Sequence, residues 1–259
     1  MNTLDVALLA SEAAATIIRD SYAGTLNIRH KGAIDLVTQV DLAAEEAIRA
    51  VLAEHTPDIP VLAEEGGGAA DCTTRWIVDP LDGTTNFVHG YPSYAVSIAL
   101  EIEGALTVGC VFDAVNGLAY TATRGGGAWC DGRRLQVSET QALGHALLAT
   151  GFPYDRRENV DKYLRYVRAF LLAGQGLRRA GAAAMDFVAV AAGRIDGYWE
   201  FGLNPWDVAA GVLLVQEAGG TVSDMEGGPL DLARPRLVCT NGKVHEEMTR
   251  ILTQLLSSD

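Results

Sequence analysis

WIVDPLDGTTNFVHG, residues 76–90, ends an apolar run on Asp79, sets a second acid at Asp82 and follows it at once with Gly83, Thr84 and Thr85. The apolar start reads as a buried strand, and the glycine-hydroxyl turn reads as the start of a helix, where backbone N–H groups form a ready anion site and glycine permits close approach. Two carboxylates three residues apart repel one another, and a buried pair is costly without a compensating charge. The arrangement therefore implies something positive between the acids, with an anion above the turn.

Outward from this stretch, helix-period patterns cover about 3–22, 41–55, 159–173, 183–193, 206–218 and 243–256. Strand-like runs fall at 59–63, 75–79, 94–102, 105–112, 118–123, 146–150, 195–200, 220–224 and 236–240. Two helices, then short-linked strands, then alternating helices and strands predict layered α and β with antiparallel pairing in the central block. The glycine-rich stretches 65–71 and 123–129 read as loops, and no internal repeat is evident. The chain is expected to form one domain over 1–259, its two subdomains dividing near 145 and sharing one site.

With 259 residues, 49% of them hydrophobic, the chain can bury a large core. A net charge of −13 argues against sequence-independent attraction to nucleic acid or anionic lipid, leaving a small molecule as the expected partner. Cys72, Cys110, Cys130 and Cys239 show neither CxxC spacing nor nearby histidines, which excludes a zinc site or redox pair on pattern. Residues 1–20 read as an amphipathic helix rather than a signal peptide, and no apolar run is long enough to cross a bilayer, so a cytoplasmic location is expected.

The chemistry resides in acids at element ends: Glu64 and Glu65 after one strand, Asp79 and Asp82, and Asp207 at a helix start. If they converge, cations must neutralise them, and an all-oxygen donor set selects Mg²⁺. Metal-assisted hydrolysis of a phosphate ester follows as the expected chemistry. A covalent aspartyl phosphatase of the haloacid dehalogenase type needs acids two apart, and Asp79 and Asp82 are three apart with Pro80 between. The EF-hand pattern fails because no alternating ligands precede Asp82.

AEE at 63–65, WIVDPLDGTTNFVHG at 76–90 and WDVAAGVLLVQEAGG at 206–220 resemble the inositol monophosphatase family of Mg²⁺-dependent, lithium-sensitive phosphatases. DLVTQVD at 35–41 and the run 181–207 extend the resemblance over nearly the whole chain. It implies an α+β fold, a layered α-β-α-β-α sandwich. It also implies that Glu64, Asp79 and the Leu81 carbonyl bind one Mg²⁺, that Asp79, Asp82 and Asp207 bind a second, and that Glu65 holds a third through water. Thr84 with Asp41 would activate the attacking water, without a phosphoenzyme. The Gly83 and Thr84 amides would receive the phosphate, and Gly181, Ala182, Ala183, Glu200 and Asp82 would line the substrate pocket. A homodimer is implied by the same resemblance.

Each residue also has a plain structural reading. Asp41 completes a capping box with Thr38, Asp207 suits a helix start, and Glu200 suits an exposed strand end. Lys31 is a solvated lysine on this reading, and Trp76 and Trp206 are core residues. The sequence departs from the family pattern at Ala63, Gly66 and Ala182, where glycine, serine and serine or threonine are common. Inositol 1-phosphate is the best single substrate on this resemblance. Fructose 1,6-bisphosphate, histidinol phosphate, NADP and 3′-phosphoadenosine nucleotides are competitors, the adenosine-bearing ones disfavoured because no aromatic cluster accompanies the site motifs. A binding or regulatory protein retaining the fold is the alternative of another class.

Overall fold

The computed structural model describes residues 1–21, 28–30 and 36–257; Lys31 lies outside them. In chain order the elements are α1 Thr3–Ser21, β1 Ile28–His30, β2 Leu36–Thr38, α2 Gln39–His55, β3 Val61–Ala63, β4 Arg75–Asp82 and α3 Thr84–His89. There follow β5 Ala95–Ile102, β6 Ala105–Asp113, β7 Leu118–Thr123, β8 Gly127–Cys130, β9 Arg133–Arg134 and β10 Leu147–Thr150. The chain continues with α4 Val160–Ala173, β11 Gly176–Arg178, α5 Ala183–Ala191, β12 Gly197–Glu200, α6 Pro205–Glu217, β13 Thr221–Asp224, β14 Leu237–Thr240 and α7 His245–Leu256. The glycine-rich stretch 123–129, expected to be loop throughout, instead delivers Gly127 into β8, which pairs with β7.

β3 to β9 form a seven-stranded sheet in sequence order, antiparallel except for β3 with β4. The parallel pair is possible because the long glycine-rich connection 64–74 carries the chain back between the two strands. The second sheet runs β11-β10-β12-β14-β13, with β10 parallel to both neighbours and the other pairs antiparallel.

Side-chain alternation along β4 and β5 separates two cores. Trp76, Val78, Val96, Ile98 and Leu100 pack on one face with α1 and α2, which present Val6, Ala10, Ala14, Ala44 and Ile48. Ile77, Ala95 and Ala99 face α5 and α6 on the other side, and that second core continues to Tyr198, Leu237 and Cys239 of the smaller sheet. A third core, built on Tyr166 and Phe170 of α4 and Met248 and Leu252 of α7, covers the far face of the smaller sheet. The layers therefore run α-β-α-β-α, the predicted sandwich.

Helix α6 lies close against the large sheet because its neighbours there are small. A Cβ at Gly109 would stand 2.9 Å from the Ala210 carbonyl oxygen and 3.2 Å from its Cα. Ser97, on the same face of the sheet, donates its hydroxyl to the Trp206 carbonyl at 3.1 Å. The N-terminus of α6, and Asp207 with it, is thereby fixed over β4 and β5. On the other flank Gly211 makes room for Phe187, whose ring carbon would lie 2.4 Å from a Cβ there.

Candidate active site

Strand β4 does not stop at Asp79, as the apolar run suggested, but continues to Asp82, which ends it rather than opening the next element. Pro80 has no N–H to give a ladder, and the pairing with β5 shifts register between Asp79 and Asp82. A regular strand would point residues three apart to opposite faces. The irregularity instead lets Asp79 and Asp82 line one cavity while the Leu81 side chain stays in the α1–α2 core. Gly83 follows with φ 88° and caps α3; a Cβ there would meet the Ser93 carbonyl at 2.9 Å. Both the left-handed backbone and the close approach require glycine.

The cavity holds about 160 Å³ between the two sheets. Its acidic walls are Glu64, Asp79, Asp82, Glu200 and Asp207, with Leu81, Gly83 and Thr84 beside them and Gly181 and Ala183 opposite. Ala182, expected among the pocket residues, is set back: it is 1% exposed, and its Cβ would lie 3.2 Å from one built on Gly83. Glu65 lies half-buried on the turn beside the cavity rather than in its wall.

Hydrogen bonds hold each acid. The Asp82 carboxylate accepts from Ala183 N at 3.2 Å and Ala184 N at 2.8 Å, joining β4 to the first turn of α5. Asp79 Oδ1 accepts from Leu81 N at 3.0 Å. Asp207 Oδ2 accepts from Asn204 N at 2.6 Å, completing a capping box that also orients the carboxyl toward the cavity. Glu200, read as an exposed strand end on the plain view, is buried, and its Oε2 accepts from the Tyr198 hydroxyl at 2.5 Å. Gly151 leaves the slot this carboxyl occupies, since a Cβ there would come within 2.1 Å of it.

Asp41 closes the expected cap and also meets Thr84. Its Oδ2 accepts from Thr38 N at 2.8 Å and Thr38 Oγ1 at 2.6 Å, closing the cap of α2, while Oδ1 accepts from Thr84 Oγ1 at 2.8 Å. The Thr84 hydroxyl also lies 3.1 Å from the Leu81 carbonyl. The turn carrying Glu64 and Glu65 is fixed by Glu45, a residue the sequence did not single out. Its carboxylate accepts from Glu65 N at 2.8 Å and Gly66 N at 3.0 Å and pairs with Arg49 at 2.7 Å. A Cβ at Gly66 would press on Glu45 Oε1 at 2.6 Å, and Ala63 sits in ordinary strand geometry, bonded both ways to Gly67. Both departures from the family pattern thus fit their local backbone.

Electrostatics make the cluster unstable as a set of bare anions. Burial first, then Glu64, Asp82 and Asp207, raises Asp79 well above the carboxylate range. Burial, with Glu200 and Glu64 opposing its amide bonds, pushes Asp82 to about 7, and burial pushes Glu200 to about 7. Asp207, which opens partly to the cavity, is raised by its enclosure and by Glu64, Asp82 and Glu200. Asp186 lies behind Glu200 with its Oδ2 unpartnered among the described residues, and burial, Glu200 and Asp82 raise it too. Without added positive charge every one of these groups is shifted toward its protonated form, Asp82 and Glu200 to about 7. Among the described residues no three acids close a ready-made cage around one point. An all-oxygen donor set that supplies only part of a shell suits Mg²⁺, which keeps several waters and shares its ligation with a phosphate.

The sequence missed the wall contributed by the segment after β10 and the start of the α5 approach. Phe152, Tyr154, Arg156 and Arg179 line the same cavity, so two aromatic side chains stand at the site although no aromatic cluster accompanies its motifs in the sequence. They lie far along the chain from residues 76–90, and only the Arg178-Arg179 pair ahead of the GAAA run offered a signal.

Known proteins similar to this chain match it over nearly its whole length. The Nus factor SuhB of Pseudomonas aeruginosa is 46% identical, over 93% of this chain and 92% of that protein. The inositol-1-monophosphatase of Synechocystis sp. is 44% identical, over 96% and 88%. The crystal structure of the extragenic suppressor protein suhB from Bartonella henselae superposes with a TM-score of 0.92 at 39% identity, covering 96% of this chain and 98% of that one. A crystal structure described as an IMPase/NADP phosphatase complexed with Mg²⁺ and phosphate is 25% identical with a TM-score of 0.82, covering 93% and 90%. The relatives named as inositol monophosphatases support a phosphatase. The model of the inositol monophosphatase family matches residues 2–257, and the chain belongs to that family.

Proposed function

We propose that the protein is a Mg²⁺-dependent phosphomonoesterase acting on a small polyol or sugar phosphate, with inositol 1-phosphate the best single candidate. The observation that carries this is the convergence of five carboxylates from β4, β12, α6 and the β3 exit on one cavity beside a glycine-hydroxyl turn. Glu64, Asp79 and the Leu81 carbonyl would hold one ion, Asp79, Asp82 and Asp207 would close around another as it binds, and Glu65 would reach a third through water. When bound, such ions lower the pKa of a coordinated water and neutralise charge on the phosphate and leaving oxygen.

The chain's own part is orientation and proton handling. The Gly83–Thr84 turn presents backbone N–H groups to the phosphate oxygens. Thr84 Oγ1, its proton directed to Asp41 Oδ1, turns a lone pair to the attacking water and accepts its proton as the hydroxyl proton passes to Asp41. Glu200 accepts hydrogen bonds from substrate hydroxyls, held in place by Tyr198. Phosphate release from inositol 1-phosphate, fructose 1,6-bisphosphate, histidinol phosphate and NADP, with Mg²⁺, with EDTA and with lithium, tests the proposal. Turnover that requires Mg²⁺ and falls with lithium is expected, and turnover untouched by EDTA would contradict it.

The raised carboxyls give a second expectation. A carboxyl whose folded value exceeds its unfolded one stabilises the fold below the unfolded value, near 4, and that contribution is lost as pH rises through the folded value, here about 7 for Asp82 and Glu200. The metal-free protein should therefore weaken between about pH 4 and pH 8, the window in which cations can replace protons. The Mg²⁺-induced rise in Tm should be small at pH 5 and several degrees at pH 8. Thermal melts with Mg²⁺ or EDTA check this, and equal rises at both pH values would refute it.

A second reading, a binding or regulatory role on a retained phosphatase fold, is favoured by one observation, the Nus factor name of the relative from Pseudomonas aeruginosa. A cytoplasmic location and a homodimer accompany the first reading as part of the proposal. No helix among the described residues is long and apolar enough to cross a membrane.

A further inference from the structure

We propose that Glu45 and Arg49 of α2 are positioning residues for the Mg²⁺ bound at the Glu64–Glu65 turn, so that this helix sets the protein's affinity for the ion. This deepens the phosphatase reading and rests on it.

Residues 66–68, which follow the two glutamates, are all glycine, with Gly67 at φ 59° and Gly68 at φ 105°. Glycine has the widest backbone freedom, so ligands mounted on such a segment gain little preorganisation from the segment itself. The bracing comes from α2. Glu45, only 4% exposed, accepts from Glu65 N at 2.8 Å with one oxygen and from Gly66 N at 3.0 Å with the other. The second oxygen also takes Arg49 Nε at 2.7 Å, and Arg49 gives a further donor to the Gly67 carbonyl at 3.0 Å. Three consecutive residues of the turn are thus tied to two side chains one helical turn apart. A Cβ on Gly66 would lie 2.6 Å from Glu45 Oε1 and 2.9 Å from an Arg49 terminal nitrogen, so the turn packs directly onto the pair.

Stability alone does not call for this pair, since a largely buried ion pair contributes little beyond what apolar side chains of similar size would supply. Apolar side chains, however, cannot accept amide protons, and the amides Glu45 accepts are those that fix where Glu64 and Glu65 point. Helix α2 carries Asp41 as well, four residues before Glu45 and on the same face, where it accepts from Thr84 Oγ1 at 2.8 Å. One rigid helix therefore holds Thr84 from its first turn and the glutamate turn from its second. Glu64 and Glu65 keep a set position relative to the Thr84 hydroxyl although they lie on different segments. Groups that orient ligands without touching the ion change metal affinity by about 10–100-fold when they are altered.

Calorimetric titration of the substrate-free protein with Mg²⁺ reads the affinity directly, and phosphate release from inositol 1-phosphate across a Mg²⁺ series reads its consequence. Glu45→Gln turns an NH₂ toward donors that the carboxylate now accepts, and it should weaken Mg²⁺ binding about tenfold. The Mg²⁺ needed for half-maximal release should rise by the same factor, with kcat returning toward the wild-type value as the ion saturates and the substrate KM unmoved. Arg49→Lys keeps the charge but loses the fork that serves Glu45 and Gly67 together. It should show a smaller loss in the same direction, and it carries the test if Glu45→Gln does not fold. Glu217→Gln is the control, because its carboxylate likewise holds two amides of a glycine turn, Gly125 N at 2.8 Å and Gly127 N at 2.9 Å, at the far end of α6 from Asp207. Its Mg²⁺ affinity should match the wild type. Wild-type affinity in both α2 variants, an equal loss in Glu217→Gln, or a kcat deficit that no Mg²⁺ concentration restores overturns the positioning role and leaves the phosphatase reading intact. A wild type that binds no Mg²⁺ and releases no phosphate from the inositol, fructose, histidinol or NADP esters overturns both.

Discussion

Asp82→Asn is expected to reduce phosphate release by about 10³-fold in kcat while leaving the protein folded. Asp82 is proposed to contribute a charged oxygen to an ion, and removing that charge forfeits several kcal/mol of transition-state stabilisation, at about 1.4 kcal/mol for each factor of ten. The fold should tolerate the change. The carboxylate now accepts two amides, from Ala183 and Ala184, and asparagine keeps one acceptor oxygen for the shorter bond at 2.8 Å. The lost bond costs roughly 1 kcal/mol. Against this, burial and the neighbouring acids already push Asp82 to about 7, so above that pH its ionised form opposes folding and a neutral amide relieves the strain. The expected pattern is lost turnover, a Tm in EDTA close to that of the wild type at pH 8, and a smaller Mg²⁺-induced rise. Wild-type turnover in the variant would remove Asp82 from the metal set. Lost turnover with an intact regulatory activity would show that a binding role runs separately from catalysis.

The second large effect concerns the Thr84–Asp41 pair. Thr84→Ala and Asp41→Asn should each lower kcat by about 10²-fold, the usual scale of a positioned proton acceptor, with KM changed little. Because both act through one hydrogen bond, the double variant should be no slower than the worse single one. Thr84→Ser, which keeps the hydroxyl, should recover most of the rate. Stability separates the two positions: Asp41 Oδ2 also closes the cap of α2, so Asp41→Asn should lower stability by about 1 kcal/mol more than Thr84→Ala. Kinetics and melts on the same four proteins decide the matter. Losses that multiply in the double variant would mean two independent roles in place of one relay.

The acids that define the cavity were legible because their signal is local. Asp79, Asp82 and Gly83 lie in one short string, and a strand–turn–helix reading of that string carries the repulsion argument with no tertiary information. Glu64 and Asp207 were legible as acids at element ends, and the layered fold followed from the order of periodic segments. What failed was information that the sequence spreads over distant elements. The irregular pairing at Pro80, which places Asp79 and Asp82 on one side, depends on the partner strand β5. Glu200 reads as a solvated strand end until Gly151 and Tyr198 are seen to enclose it. Arg179 and Phe152 belong to different segments and meet only in the fold. Asp41 shows a third kind of limit: its cap and its bond to Thr84 are compatible because a carboxylate has two oxygens, so weighing one reading against the other posed a choice the molecule does not make.

The cavity takes its walls from both sheets: Asp79 and Asp82 from the larger, Glu200 from the smaller, and Asp207 from the helix layer between them. A ligand seated there touches all three layers. Peeling either sheet away would forfeit the whole of the ligand's binding free energy, so occupancy raises the cost of opening one half as much as the other. Substrate and ions thereby act as an interior fastening, and the loaded protein should resist local opening on both sides of the sandwich more evenly than the empty one.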